Sequence, residues 1–119
     1  MDIQLIIAPY DSGHFNQRMG AGPLQFLNSG LESTLQAAGH QVGVNVLNLD
    51  LPFSTEIGTS VKVQRAVATA ARSALQQPAF PLLLAGNCNA SIGMVRAAEV
   101  DSVIWFDAHG DFNTPETTI

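Results

Sequence analysis

The chain has 119 residues, of which 46% are hydrophobic and 13% charged, with a net charge of -5. That length suits one small domain, and the acidic balance, with Lys62 as the one lysine beside Arg18, Arg65, Arg72 and Arg96, offers neither a basic face for nucleic acid nor a basic amphipathic helix for a membrane surface. No apolar run reaches the roughly 18 residues of a membrane span. So few charges on so short a chain predict that some apolar surface is covered by another copy or by more of the same domain. Met1-Asp2-Ile3-Gln4 is not the basic start of a secretory signal, and the single cysteine, Cys88, excludes an internal disulfide. A reducing compartment, the cytoplasm, is expected.

Residues 3–8 (IQLIIA) are apolar and rich in β-branched side chains, which predicts a buried strand. Residues 9–21 read as a loop. Pro23 suits the first turn of a helix, where its missing N–H leaves nothing unpaired. Leu24, Leu27, Leu31, Leu35 and Ala38 follow at helical spacing up to Gly39, with Gly30 a modest weakness. Val42, Val44 and Val46 alternate as a second strand. A helix is predicted over 58–77, its apolar stripe made of Val63, Ala66, Val67, Ala70, Ala71, Ala74 and Leu75, and Pro78 ends it. Residues 80–85 read as a third strand, 91–99 as a shorter helix and 103–106 as a fourth strand. Strands alternating with helices predict one α/β unit with a parallel sheet and helices on both faces. The third and fourth strands, apolar on both faces, are expected at its centre.

In open α/β sheets ligands bind beyond the carboxyl ends of the strands. There, after Val103-Ile104-Trp105-Phe106, the chain reads Asp107-Ala108-His109-Gly110-Asp111. Extended backbone projects side chains at i, i+2 and i+4 to one side, so two carboxylates and an imidazole could converge on an ion. Such a mixed set suits Mn²⁺, Fe²⁺ or Zn²⁺, the oxygen-rich share favouring Mn²⁺. A polar loop after a strand is the competing reading of the same residues.

The run from Trp105 to Pro115 resembles the D-A-H-x-D-x-N-T-P signature of the arginase, agmatinase and formiminoglutamase superfamily. Arg18-Met19-Gly20-Ala21-Gly22-Pro23 is similar to the loop that leads into the family's first helix, and 82–93 falls where its first metal motif lies. The resemblance covers residues 1–119 and corresponds to the N-terminal part of a typical member. It implies a three-layer, arginase-like α/β fold, incomplete in this chain.

The resemblance also implies a pair of Mn²⁺ ions holding a hydroxide that attacks the carbon of a guanidino or amidine substrate such as arginine or agmatine. Asp107 would bridge the ions, Asp111 would bind the first and His109 the second, which makes Asp107 and His109 catalytic. Asn113 and Thr118 would hold the substrate. A homo-oligomer would be the form of a complete member.

Two departures qualify this. Where most members read G-G-D-H-S, the chain reads Ala85-Gly86-Asn87-Cys88-Asn89. Cys88 takes the histidine position. It is either a softer ligand, shifting preference toward Zn²⁺ or Fe²⁺, or a small buried residue beside the metal. The family's third motif, D-x-D, would lie beyond residue 119, and later strands would lie between the third and fourth strands here. A truncated and inactive fragment that only binds or oligomerises is therefore the alternative to a ureohydrolase. A metallophosphoesterase, which also begins its site with D-x-H after a strand, is a further one.

Overall fold

The most apolar stretch of the chain forms its central strand. The computed structural model describes all residues except Leu51, Phe112, Pro115, Thr118 and Ile119. Strand β1 (Asp2–Ala8) is flanked by two parallel neighbours, β4 (Gln41–Val46) and β5 (Ala79–Ala85), with Leu5 level with Val44 on one side and Leu82 on the other. The short strands β2 (Tyr10–Asp11) and β3 (His14–Phe15) form a separate antiparallel hairpin inside the predicted loop. Leu5, Ile6 and Ile7 have no exposed surface. Burying each such side chain contributes about 1.5–3 kcal/mol.

Helices cover both faces of this sheet because β1 is apolar on both. Ile3, Leu5 and Ile7 meet Leu24 and Leu27 of α1 (Gly22–Asn28) and Leu31 and Leu35 of α2 (Leu31–Ala37). On the opposite face, Ile6 and Ala8 belong to clusters with Val63, Val67 and Ala71 of α3 (Glu56–Leu75) and with Met94 and Ala97 of α4 (Ser91–Ala98). This is the three-layer α/β arrangement expected from the sequence, built on a parallel sheet of order β4-β1-β5.

Several elements differ from expectation for identifiable reasons. The single helix predicted after Pro23 is two. Gly30 adopts φ +95 between them, and the Ser33 and Thr34 hydroxyls donate to its carbonyl at 2.9 Å, so the glycine ends one helix and opens the next. Helix α3 starts earlier than predicted because Thr55 caps it, its hydroxyl accepting from the Gly58 amide at 2.9 Å. Its buried face includes Ala68, whereas Leu75 is exposed.

The main correction concerns the fourth strand. Residues 103–106 form no ladder with any described strand, and Ile104 and Phe106 are 81% and 94% exposed. An apolar β-branched run becomes a strand only where a neighbour takes its amides and carbonyls, and no described strand lies alongside this one. For the same reason β5 is half-buried rather than central, since β1 is its one described neighbour.

The topology fixes where a site can form. From β1 the chain crosses one face of the sheet to β4. It then returns over the other face through α3 to β5, on the far side of β1. The direction of winding therefore reverses at β1, and a crevice opens beyond the carboxyl ends of β1 and β5.

Candidate metal centre

Two turns meet at this crevice. The first follows β1, where Asp11 ends β2 and Ser12 opens the hairpin turn. The second follows β5, where Asn87 in extended conformation leads into a single 3₁₀ turn (Cys88–Ala90) and then α4. The Ser91 hydroxyl donates to the Cys88 carbonyl at 2.6 Å and fixes that turn. The Asn87 amide reaches across to the first turn, donating to Asp11 Oδ1 at 3.0 Å and Ser12 Oγ at 3.2 Å.

Cys88 is exposed in this chain. Its thiol donates to Asp107 Oδ2 at 3.6 Å. Asp107 also accepts from the His109 amide at 2.9 Å through Oδ1. That amide, foremost, holds the Asp107 carboxyl below the usual carboxylate range against partial desolvation, and the Cys88 thiol adds to it. Desolvation pushes the Cys88 thiol up, reinforced by its bond to Asp107 and by the charges of Asp107 and Asp111.

Cys88, Asp107 and Asp111 each offer a ligand atom, and these atoms lie within 4.8 Å of one another. One sulfur and two carboxylate oxygens around that space suit a single divalent cation, whose charge would offset the repulsion between the carboxylates and favour the thiolate. The donor set therefore fits a divalent cation, with a composition different from the Asp107, His109 and Asp111 set that the sequence suggested. The chain bends after Asp107, and Asp111 takes a left-handed φ of +53, so the expected extended projection does not occur. Asp111 turns toward Cys88. His109 stays outside the trio, its ring 85% exposed and its Nδ1 3.5 Å from Asp107 Oδ1. Asn113 is exposed beyond the cluster, and Thr118 lies outside the described residues.

A cavity of about 600 Å³ opens beside the cluster, between α4 and the 103–111 segment, lined by Cys88, Ile92, Val95, Trp105 and Asp111 among others. Trp105, in the expected fourth strand, is half-buried here. Sequence reading passed over the Asn87–Asp11 link. Its only signal was that each residue follows the end of an apolar strand.

The parallel sheet with helices on both faces is an arginase-like three-layer α/β fold, incomplete in this chain. The family model described as "Arginase family" matches residues 1–119, and the chain belongs to that family. It is 29% identical to an arginase of Staphylococcus aureus (strain MSSA476) over 129 residues, covering 96% of this chain and 43% of that protein. An arginase of Saccharomyces cerevisiae is 27% identical, with 98% and 43% covered. An N(omega)-hydroxy-L-arginine amidinohydrolase of Streptomyces lavendulae is 32% identical over 92 residues, 74% of this chain and 34% of that protein. The crystal structure of arginase from Bacillus subtilis superposes with a TM-score of 0.83 at 26% identity, covering 99% of this chain and 42% of that one. The chain thus spans less than half the length of the curated relatives it matches. The phosphoesterase alternative finds no support among them. No described helix is long and apolar enough to cross a membrane.

Proposed function

We propose that residues 1–119 are part of a single arginase-like α/β domain and carry half of the metal centre of a ureohydrolase, which cleaves a C–N bond of a guanidino or amidine substrate. The observation that carries this reading is the convergence of Cys88, Asp107 and Asp111 at the strand ends of an arginase-family fold. When bound, divalent ions would supply Lewis-acid activation of a water for attack on the guanidinium carbon.

The chain's own residues have separable parts in this. Asp107, kept ionised by the His109 amide, is the central ligand and the candidate bridge between two ions. Asp111 and Cys88 complete the first position. His109, free to turn because its ring is exposed, is the candidate ligand of the second. Asn113 and Thr118 are the candidate substrate contacts. Mn²⁺ is the family expectation, and the Cys88 sulfur moves preference toward Zn²⁺ or Fe²⁺. The lone thiol fits a reducing compartment such as the cytoplasm.

A second reading is a catalytically silent piece that binds or oligomerises, favoured by the exposed, unpaired Ile104 and Phe106. Calorimetry with Mn²⁺ and Zn²⁺, alongside urea release from arginine, agmatine and guanidino acids, separates the two. Metal binding that Asp107→Ala abolishes supports the half-site. Turnover at ordinary enzyme rates excludes the silent reading, and metal affinity unchanged in Asp107→Ala excludes the site.

A further inference from the structure

We infer that Asn87 is the positioning residue of this metal centre: its amide latches the turn that carries Cys88 onto the Asp11–Ser12 turn across the crevice. The inference rests on the metal-site reading above. Asn87 has φ -152 and ψ 168, so its side chain and that of Cys88 point to opposite sides of an extended backbone. One side chain faces the end of β1 and the other faces Asp107. Holding the first fixes the direction of the second.

The contact is specific. The Asn87 amide is half-buried and bonds two residues more than seventy positions away, Asp11 at 3.0 Å and Ser12 at 3.2 Å. Beneath it the two turns touch backbone to backbone. A Cβ on Gly86 would fall on the Tyr10 carbonyl oxygen and lie 2.7 Å from Gly20 Cα, and one on Gly20 would lie 2.8 Å from the Asp11 amide nitrogen. Ser12 is held at φ +47, an unfavourable region for a residue with a side chain, and such a conformation persists only where its surroundings fix it. The latch supplies one of those restraints.

The chemistry also explains the residue type. Asp11 presents a carboxylate to position 87. An amide there donates to it, whereas an aspartate would set two carboxylates face to face. Asn87 and Asp11 are therefore a matched pair, and the match is reversible: exchanging the two residues keeps one donor and one acceptor.

The test measures Zn²⁺ affinity of the full chain by competition with a chromophoric chelator, together with the sulfur-to-metal charge-transfer band of the Co²⁺ form. Asn87→Asp should weaken Zn²⁺ binding by about tenfold or more and diminish the band, a loss of the size seen when the residues that orient a metal ligand are changed. The double exchange Asp11→Asn with Asn87→Asp should restore both. Wild-type affinity in Asn87→Asp, or no recovery in the exchanged protein, overturns the inference. If Asn87→Asp fails to fold, the exchange decides alone: recovery of fold and affinity supports the latch, and failure to recover affinity overturns it. A wild-type chain that binds no Zn²⁺ or Co²⁺ removes the metal-site reading instead. Alkylation of Cys88 by iodoacetamide then decides the latch, upheld if Asn87→Asp alters the rate and the exchange restores it, overturned if the rate does not change.

Discussion

The Cys88 thiol and the Asp107 carboxylate, 19 residues apart in sequence, face each other at 3.6 Å beyond the ends of the sheet. One comes from the turn after β5 and the other from the segment that follows α4. Their meeting converts an apolar fold into one with a soft–hard donor pair, and the metal preference of the site should follow from it.

Replacing Cys88 with histidine, the residue that the resemblance implies at this position, should therefore shift selectivity. Cys88→His should lower the ratio of Zn²⁺ to Mn²⁺ affinity by about tenfold, because an imidazole discriminates less strongly for thiophilic ions than a thiolate. Competition titrations with both metals on both proteins measure the ratio. An unchanged ratio would mean that the sulfur does not reach the ion.

Close packing of α4 on α3 depends on a missing side chain. A Cβ at Gly93 would fall on the Gln64 carbonyl oxygen and lie 2.9 Å from Val67 Cβ. Gly93→Ala should destabilise the chain by about 1–3 kcal/mol through overpacking. A urea-unfolding midpoint equal to that of the wild type would show that the helices separate without cost.

Much of this was legible beforehand, and the reasons are local. The run Ile3 to Ala8, apolar but for Gln4, reads as a buried strand, and the leucines after Pro23 recur at helical spacing. Ladder partners, by contrast, are not written in a segment's own residues. Val103 to Phe106 looks like a central strand, yet Ile104 and Phe106 are exposed because nothing described pairs with them. The site was half legible in the same sense. Asp107 and Asp111 follow from an apolar run ending in acids, but the bend after Asp107, where the His109 amide donates a hydrogen bond to Asp107 Oδ1, is not written in that pattern. His14 lies in the stretch read from sequence as a loop. It stacks on Phe53 with ring centres 4.5 Å apart and bonds Glu56 at 3.0 Å, a contact across 42 positions that no local pattern signals.

Glu56 gives the fold a pH dependence whose sign can be worked out. Its hydrogen bonds, first to His14 and then to Arg18 at 3.1 Å, hold its carboxyl below the ordinary 4.5. A carboxylate with a depressed folded-state pKa stabilises the fold above its unfolded-state value, and that stabilisation is lost as pH falls through the folded value. Wild type should thus be more stable than Glu56→Gln at neutral pH, and the gap should shrink as pH drops below 4.5 and then close. Thermal melts of both proteins across that range check it. A gap that persists in acid would assign the effect to packing.

Ile104 and Phe106 contribute little to the folded chain itself, being 81% and 94% exposed. Changing both to serine should alter unfolding stability by no more than about 0.5 kcal/mol per residue. The same change should reduce self-association in sedimentation velocity, because it removes exposed apolar surface. Association that is unaffected would locate any contact between copies elsewhere.

The half-site is tested most directly by titrating the chain with Co²⁺ and recording its electronic spectrum. A sulfur-to-cobalt charge-transfer band should grow with added ion, vanish in Cys88→Ser, and require far more ion in Asp107→Ala. Cobalt bound without that band, or bound equally well by Asp107→Ala, would contradict a centre built from Cys88, Asp107 and Asp111.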